Sequence, residues 1–394
     1  MELFSAATLV IILSSFVTGL ANGQPVQDEV PRGQVTQYTW NDSKIYPGTT
    51  RDYWVYVPQQ YNEATAASVM VFQDGHMFVN PEGFMNAPAV MDTLISSNEM
   101  PVTIGIFVSP GESAESEHDN QRTVEYGALN DSYARFLLEE ILPDVSKSYN
   151  LKEDAASRAI SGASFGGICS FTVAWERPDA FSKVVSFIGA FTGVPGGGEY
   201  HTMVRKTRGN PKPIRTFLQT TDDDLNNTMG DFKLGNQQME SSLKFARYDT
   251  RFALGPGSHD LRHAGSIFAD ALRWTWRDYP GVKDTGRWHT PVADIIGDWN
   301  VELDVWGDIF SGVLSIFEEN DRLAAQFVSS ENSKHDVTDV SFKEGILSFN
   351  FMLPGLSEDP SRSWLFVEGG AFKGALGVIE GTGEIDFPMR GRRN

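Results

Sequence analysis

The chain has 394 residues, of which 41% are hydrophobic and 21% are charged, so it can form a full hydrophobic core and is not a disordered protein. Its formal net charge of −20 disfavours nucleic acids and anionic membranes as partners, because both would repel it. With a single cysteine, Cys169, no intramolecular disulfide can form.

The first residues have the pattern of a secretory signal. Residues 6–20 form an apolar, uncharged run, and Gly19, Ala21 and Gly23 are small residues that suit a cleavage site. The run is short for a membrane span, and the positively charged start of most signals is missing, so an anchor is the minor alternative. We expect a signal at residues 1–23, a secreted or periplasmic bacterial protein, and no stable membrane insertion after cleavage.

From residue 53 to residue 279, short apolar runs alternate with helical patterns. The central runs are apolar throughout, which is typical of strands covered on both faces. The alternation predicts a mostly parallel, doubly wound α/β sheet in a domain at residues 24–288. We predict strands at 53–57, 69–72, 103–107, 159–162, 184–188, 214–218 and 248–253, and helices at 132–142, 166–177, 235–245 and 265–276.

The pattern changes near residue 290. From residue 298 to residue 387, short segments of alternating apolar and polar residues are separated by Gly, Asp and Asn. They predict a second domain at residues 289–394, an antiparallel β-barrel or sandwich. Trp299, Trp306 and Trp364 are interpreted as core residues of this domain; the alternative is a binding surface for a glycan or an apolar ligand.

One pentapeptide carries the strongest functional signal. Gly162-Ala163-Ser164-Phe165-Gly166 follows a predicted strand and precedes a predicted helix. In that context G-x-S-x-G predicts a nucleophile elbow, the sharp turn that exposes a catalytic serine, and the alternative is an ordinary turn. The flanking glycines matter because a side chain there would collide with neighbouring backbone.

A serine nucleophile needs a base, usually a histidine that a carboxylate orients. His259 is the candidate base, since it lies in a Gly-rich loop after the last predicted strand of the sheet, where catalytic groups of α/β proteins collect. His263 shares the loop and either contacts substrate or packs. The acid is expected after the strand at 214–218, where composition does not choose among Asp222, Asp223 and Asp224.

An oxyanion formed at the serine needs two preorganised donors. One is expected to be the backbone N–H of Phe165, the residue after the serine, and the other comes from the loop after the strand at 69–72. That loop contains Asp74, Gly75 and His76. The alternative for Asp74-Gly75 is a simple tight turn.

Several separated segments occur in the order found in one known family. They are YPGTTRDYWVYVP at 46–58, FQDG at 72–75, Arg122 with Glu125-Tyr126, FLLEEILP at 136–143, GASFGG at 162–167, AWERP at 174–178 and GSH at 257–259. With them, residues 46–276 resemble the enterochelin esterase-like (esterase D-type) α/β hydrolases, a family that includes feruloyl esterases. The resemblance implies an α/β-hydrolase fold for this part of the chain.

The resemblance also implies roles for individual residues. It makes Ser164 the nucleophile and His259 the base, and it selects Asp224 as the acid because an apolar residue follows it. Where the family has a glycine three residues before the acid, this sequence has Thr221. The family commonly has an Arg and a Glu near the site, here Arg122 and Glu125, for which a structural ion pair is the alternative. The C-terminal domain lies outside the resemblance and looks like a small lipocalin-like or carbohydrate-module-like barrel.

We therefore predict an exported serine esterase that hydrolyses carboxylic esters through an acyl-enzyme, with no metal and no cofactor. Predicted substrate contacts are Asp74, Arg122, Glu125 and His263. Its expected partner is an ester small molecule or an esterified polysaccharide bearing feruloyl or other acyl groups. The alternatives are a siderophore (enterochelin-type) esterase, an acyltransferase, and a non-catalytic glycan- or ligand-binding protein built on a hydrolase fold.

Overall fold

The structure is a computed structural model. It describes residues 30–113, 121–194, 196–285, 295–320, 322–343, 346–352, 360–368, 370–380 and 383–394. The predicted signal at 1–23 and the predicted domain boundary at 288/289 lie outside the described residues, so both remain predictions. Pro31–Asn394 belong to one unit by their mutual contacts.

The first part of the chain is built on one mostly parallel sheet. Its strands are β1 (Gln34–Trp40), β2 (Thr49–Val57), β3 (Ser68–Gln73), β4 (Thr103–Val108), β5 (Glu112–Ser113), β6 (Arg158–Ala163), β7 (Lys183–Phe187), β8 (Arg215–Thr221) and β11 (Asp249–Gly255). The hydrogen-bonded order is β1-β2-β4-β3-β6-β7-β8-β11, with β5 paired to β2. β2 runs antiparallel to β1, β4 and β5, and the other pairs are parallel. A separate ribbon pairs β9 (Asn226–Asn227) with β10 (Gly230–Asp231).

Helices cover both faces of this sheet. Successive residues of β3 belong to different apolar clusters, Val69 and Val71 to one and Met70 and Phe72 to the other, because neighbouring side chains of a strand point to opposite faces. The predicted doubly wound α/β fold is confirmed. The helices are α1 (Gly75–Val79), α2 (Ala87–Ser96), α3 (Gln121–Gly127), α4 (Ser132–Phe136), α5 (Leu142–Ser146), α6 (Phe165–Glu176), α7 (Tyr200–Arg205), α8 (Phe232–Phe245), α9 (Arg262–Ser266) and α10 (Phe268–Trp276).

Two predicted helices are interrupted. Between α4 and α5 the chain forms a π-helical turn, Leu137–Ile141. Pro143 explains it, because proline has no N–H for the bond to the carbonyl four residues earlier and its ring crowds that carbonyl. The helix predicted at 265–276 is split into α9 and α10, and Gly265 packs so closely on the backbone of Phe84 that a Cβ would lie 2.2 Å from its carbonyl oxygen.

The C-terminal part is a closed barrel of antiparallel strands, which confirms the predicted barrel. Its first strand has the alternation of buried and exposed residues that predicted the barrel. Trp299, Val301 and Leu303 are buried, and Asn300 and Glu302 between them are exposed. The strands are β12 (Gly297–Val305), β13 (Asp308–Glu319), β14 (Arg322–Ser329), β15 (Lys334–Lys343), β16 (Ile346–Phe351), β17 (Ser361–Glu368), β18 (Ala371–Glu380) and β19 (Gly383–Arg393). Their order in the barrel is β12-β13-β14-β15-β16-β17-β18-β19, closed by pairing of β12 with β19.

The tryptophans of the barrel have three different environments. Trp299 is buried in the core, as predicted. Trp306 is 75% exposed at a turn, and Trp364 is half-buried on the outer wall, so the core interpretation is wrong for these two. Among the helices that the structure describes, none is long and apolar enough to cross a membrane.

Candidate active site

The turn between β6 and α6 holds Ser164 in a conformation that side chains rarely adopt. Its φ is 56° and its ψ is −118°, directly before the first residue of α6. A Cβ on Gly162 would lie 2.3 Å from the backbone oxygen of Gly166, and a Cβ on Gly166 would lie 2.9 Å from a carboxylate oxygen of Asp74. Only glycine fits at either position, so the pattern that predicted an elbow reflects real steric limits.

The structure brings Ser164, His259 and Asp224 together. His259 Nε2 lies 3.0 Å from Ser164 Oγ, and His259 Nδ1 lies 2.5 Å from Asp224 Oδ1. The side chains come from loops after β6, β8 and β11, whose carboxyl ends share one edge of the sheet. Because an ionised carboxylate only accepts, Nδ1 carries the proton and Nε2 can accept the serine proton.

Asp224 differs from the two aspartates before it. Its side chain is fully buried, whereas Asp222 and Asp223 are exposed. Asp222 Oδ1 accepts a hydrogen bond from the backbone N–H of Gly257 at 3.0 Å, which connects the loop after β8 to the loop that carries His259. The local geometry thus separates three residues that composition leaves equivalent, and only Asp224 contacts the imidazole.

Two further donors hold the Asp224 carboxylate. Thr220 Oγ1 donates to Oδ2 at 2.5 Å, and the backbone N–H of Leu225 donates to Oδ1 at 2.8 Å. Burial alone raises the pKa of Asp224, but the hydrogen bonds from His259, Thr220 and Leu225 outweigh it and leave the pKa below its ordinary value. Asp224 therefore stays ionised and oriented towards His259.

The residues predicted to supply the oxyanion donors lie at the beginning of two helices. Phe165 is the first residue of α6, and Gly75 and His76 are the first residues of α1. Backbone N–H groups in a first helical turn have no partner within the helix, so they are available to an anion. Gly75 packs so tightly on β4 that a Cβ would lie 2.3 Å from the backbone of Phe107. The tight turn at Asp74, with a φ of 54°, is present as well.

Arg122 and Asp74 form an ion pair beside this turn. Arg122 Nε and Nη2 donate to Oδ1 and Oδ2 of Asp74 at 2.7 and 2.8 Å, and the Asp74 side chain is only 2% exposed. The guanidinium also lies over the ring of Phe165, 5.5 Å from its centre. Both residues therefore border the elbow, and their carboxylate and guanidinium groups are already paired with each other.

Glu125 and His263, two of the predicted substrate contacts, are engaged with other residues of the protein. Glu125 is fully buried and accepts two hydrogen bonds from Arg51, at 2.6 and 2.9 Å, so it forms the structural ion pair that was the alternative, with a partner other than Arg122. His263 is half-buried, packs on Gly255, and lies 3.0 Å from Nε2 of Gln219 through its Nδ1. Neither side chain contacts the Ser164–His259–Asp224 group.

Sequence reasoning missed two residues that support this group. Thr220 holds the second oxygen of Asp224, and the ring of Phe232 lies edge-on against the His259 imidazole with 5.2 Å between ring centres. A threonine at a strand end and an aromatic residue at a helix start are common in any α/β protein. No sequence signal distinguishes these two.

A comparison with known protein families matches the part of the chain that carries this group. The model of the family described as "Putative esterase" matches residues 46–264, which is more than half of the chain. The chain belongs to this family. The esterase match includes every residue of the Ser164–His259–Asp224 group and ends before the barrel begins.

Solved structures share the fold of this esterase at low identity. A ferulic acid esterase is 20% identical, with a TM-score of 0.51 over 62% of this chain and 98% of its own. The ferulic acid esterase AmCE1/Fae1A of Anaeromyces mucronatus is 20% identical, with a TM-score of 0.51 over 64% and 93% of the two chains. The ferric enterobactin esterase of Salmonella typhimurium is 20% identical, with a TM-score of 0.50 over 63% and 59%.

One curated relative of the esterase also matches. The uncharacterized protein YbbA of Bacillus subtilis is 22% identical over 149 residues, 36% of this chain. The match spans 57% of the length of that relative. Within the described residues of the esterase, no group of three or more His, Cys, Asp or Glu side chains is arranged to hold a metal ion.

Proposed function

We propose that the protein is an exported serine esterase in which Ser164 is the nucleophile, His259 the general base and Asp224 the orienting acid. The observation that carries the proposal is the chain of contacts from Asp224 through His259 to Ser164, at 2.5 and 3.0 Å. Separations of about 2.6–3.2 Å are the reach of proton transfer between a nucleophile and its base.

The reaction follows from this geometry. Ser164 Oγ attacks the ester carbonyl carbon while His259 Nε2 takes the hydroxyl proton, and the imidazolium is stabilised by Asp224. The backbone N–H groups of Phe165 and of Gly75 or His76 stabilise the oxyanion. His259 then gives its proton to the leaving alcohol, and a water molecule, deprotonated by the same nitrogen, releases the acid and restores Ser164.

Apolar side chains near the site favour a bulky acyl group. Leu225 and Met229 follow Asp224 and are 38% and 39% exposed on and beside the β9–β10 ribbon. Among esters, an aromatic acyl group such as feruloyl would cover this surface, and an acylated polysaccharide would supply it outside the cell. A siderophore ester is the second candidate, because the enterobactin esterase of Salmonella typhimurium has a similar fold.

The proposal is tested by ester hydrolysis with purified protein. We expect turnover of p-nitrophenyl acetate that falls to background in Ser164→Ala, and a higher kcat/KM for methyl ferulate than for short acyl esters. A wild-type protein without turnover on any ester, or a Ser164→Ala variant that keeps its activity, would contradict the serine mechanism. Preference for a siderophore ester would select the second candidate. Export is tested separately, by the N-terminus of protein recovered from outside the cytoplasm.

A further inference from the structure

One hairpin of the barrel ends in an exposed tryptophan. Strands β12 and β13 are joined by Trp306 and Gly307, and the pair that closes the turn is Val305 with Asp308. Trp306 is 75% exposed, and Ile309 of the same hairpin is 50% exposed. The protein thus presents a large aromatic ring to solvent at the tip of a short turn, where the ring adds little to the core.

The turn is of a type that tryptophan does not favour. Trp306 has a φ of 54° and Gly307 has a φ of 97°. A two-residue hairpin turn with positive φ at both residues follows the type I′ pattern, in which Asn, Asp or Gly is preferred at the first position. A bulky side chain in this left-handed region is crowded by its own backbone. Neither the turn geometry nor burial therefore explains a tryptophan at this position, and such outliers point to a function.

Two contacts hold the hairpin tip and its ring in a defined orientation. The backbone N–H of Gly307 donates to Asp304 Oδ1 at 2.8 Å. The Trp306 ring lies perpendicular to the buried ring of Phe387, with 5.0 Å between ring centres. One perpendicular ring covers at most one face of the indole, and the high exposure of Trp306 leaves the other face open to solvent. Because the ring is already oriented, a ligand that binds it loses little side-chain entropy.

An open indole face with acceptors beside it suits a sugar ring. One face of a pyranose consists of C–H groups and packs on an aromatic ring, while its hydroxyl groups point outward from the rim. Asp304 and Asp308 flank Trp306 in the hairpin, the first half-buried and the second exposed. Ionised carboxylates accept hydrogen bonds from hydroxyl groups. The hairpin tip therefore combines the two kinds of contact that a pyranose needs.

The charges of the hairpin disfavour anionic ligands. Residues 303–310 contain two aspartates and neither Lys nor Arg, and the whole chain has a formal net charge of −20. Nucleic acids, acidic polysaccharides and anionic membranes would be repelled. Segments that lie on a membrane surface combine apolar side chains with Lys and Arg, which this hairpin lacks. A neutral glycan meets no such repulsion.

The exposed apolar surface of the hairpin is too small for a protein partner. A stable protein interface buries about 800 Å² on each partner and involves about 20–30 residues of each. In the described part of the chain, Trp306 and Ile309 are the large exposed apolar side chains of this hairpin. One aromatic ring is nevertheless sufficient for a weak contact with a polymer that repeats the same sugar many times, because the repeats raise the effective concentration of the ligand.

We propose that the tip of the β12–β13 hairpin binds a neutral polysaccharide, with the Trp306 indole stacked on a pyranose ring. Asp304 and Asp308 accept hydrogen bonds from the sugar hydroxyl groups. The site retains the protein on the polymer through a contact that is weak and reversible at each sugar. Binding itself does not depend on Ser164, and only its consequence for hydrolysis rests on the proposed function.

The test is affinity electrophoresis of the full chain in native gels. One series of gels contains soluble arabinoxylan, a neutral polysaccharide, and the other contains polygalacturonate, an anionic one. Trp306→Ala removes the ring, and Trp306→Asn introduces a residue that the turn prefers. Phe317→Ala is the matched control, because Phe317 is a 40% exposed aromatic residue of the same barrel, near the opposite end of β13. Urea unfolding measures the stability of every variant.

We expect arabinoxylan to retard the wild-type protein at a concentration at least about tenfold lower than polygalacturonate does. Both Trp306 variants require about tenfold more arabinoxylan for the same retardation, and Phe317→Ala stays within about twofold of wild type. Trp306→Asn unfolds at the same urea concentration as wild type or at a higher one, because the turn strain is relieved. Equal retardation by polygalacturonate, wild-type retardation of the Trp306 variants, or an equal loss in Phe317→Ala would overturn the proposal.

Other occupants of the hairpin are tested in parallel. Sedimentation with phosphatidylcholine vesicles detects a lipid surface, and analytical ultracentrifugation detects a second copy of the chain. Vesicle binding or a dimer that is lost in Trp306→Ala, with no retardation by arabinoxylan, would assign the hairpin to that occupant and overturn the proposal.

Hydrolysis gives a second readout, which rests on the proposed function. On feruloylated arabinoxylan, we expect Trp306→Ala to release ferulate about fivefold more slowly than wild type, whereas hydrolysis of p-nitrophenyl acetate is unchanged. Equal rates of the two proteins on the polymer would contradict a role in retention. A wild-type protein that hydrolyses no ester would contradict the proposed function, and the gel experiment would still decide the binding proposal.

Discussion

The Arg122–Asp74 pair offers a sharp test of how the oxyanion turn is held. In Arg122→Met, the Asp74 carboxylate, which is only 2% exposed, loses both hydrogen bonds from the guanidinium. Breaking a fully buried pair from one side costs about 3–5 kcal/mol. Arg122 itself is 29% exposed, so water reaches the vacated space, and we expect a loss of about 2–3 kcal/mol in the free energy of unfolding.

The same variant should slow catalysis. Asp74 Oδ2 would lie 2.9 Å from a Cβ on Gly166, so an unpaired negative charge remains close to the start of α6, where the oxyanion forms. Two like charges about 6 Å apart at an effective dielectric constant of about 20 repel by about 3 kcal/mol. If the transition state bears that full cost, kcat falls about 100-fold. Steady-state hydrolysis of p-nitrophenyl acetate and urea unfolding measure the two effects.

A double variant separates charge from simple damage to the fold. Arg122→Met combined with Asp74→Asn removes both charges, and we expect it to recover kcat to within about tenfold of wild type. Arg135→Met is the matched control, since Arg135 and Glu139 form an exposed pair one helical turn apart, and the loss of an exposed pair has little effect on stability. If Arg122→Met behaves like Arg135→Met, or if the double variant is as slow as the single one, the unpaired Asp74 carboxylate is not what slows catalysis.

Three further predictions follow from single side chains. Asp224→Asn lowers kcat about 10⁴-fold with little change in KM, because the imidazole loses its orientation, whereas the exposed neighbour Asp223→Asn changes kcat less than about threefold. Gly162→Ala abolishes hydrolysis, since its Cβ would lie 2.3 Å from a backbone oxygen, whereas Gly209→Ala, with nothing within 4 Å, keeps it. Hydrogen bonds from Arg215 lower the pKa of Asp278 to about 2. The contribution of Asp278 to stability is therefore complete above about pH 4 and is lost as the pH falls towards 2. Asp278→Asn removes this part of the acid dependence of stability.

For each of these three predictions, a specific result would contradict the expectation. Equal losses of kcat in Asp223→Asn and Asp224→Asn would show that catalysis depends on the loop as a whole and not on the Asp224 carboxylate. An active Gly162→Ala enzyme would remove the steric argument for the elbow. An unchanged difference in thermal unfolding between pH 5 and pH 2.5 in Asp278→Asn would mean that this carboxylate has no stabilising role. Because Asp278 is half exposed, its effect is expected to be small.

The sheet could be predicted from sequence because its central strands are buried on both faces. The β3 run Val69 to Phe72 is apolar at every position and therefore stands out. β1 was missed because its residues are largely polar and form an antiparallel edge. The break near Pro143 could have been predicted from the proline alone, whereas the close contact of Gly265 with Phe84 joins residues far apart in the chain.

The site was predictable to the extent that local sequence determines it. The elbow and the His259 loop have local signals, namely glycines around a serine and a loop at a strand end. The choice among three aspartates depends on side-chain direction in one turn, and the pairing of Arg122 with Asp74 joins residues 48 positions apart.

The central claim is that Ser164 is an activated nucleophile. Its most direct measurement is labelling of the folded protein with a fluorophosphonate probe, followed by mass spectrometry of the labelled peptide. We predict one probe per chain, attached to Ser164, with no labelling in Ser164→Ala and much slower labelling in His259→Ala. A wild-type protein that is not labelled, or a label on a different residue, would contradict the account.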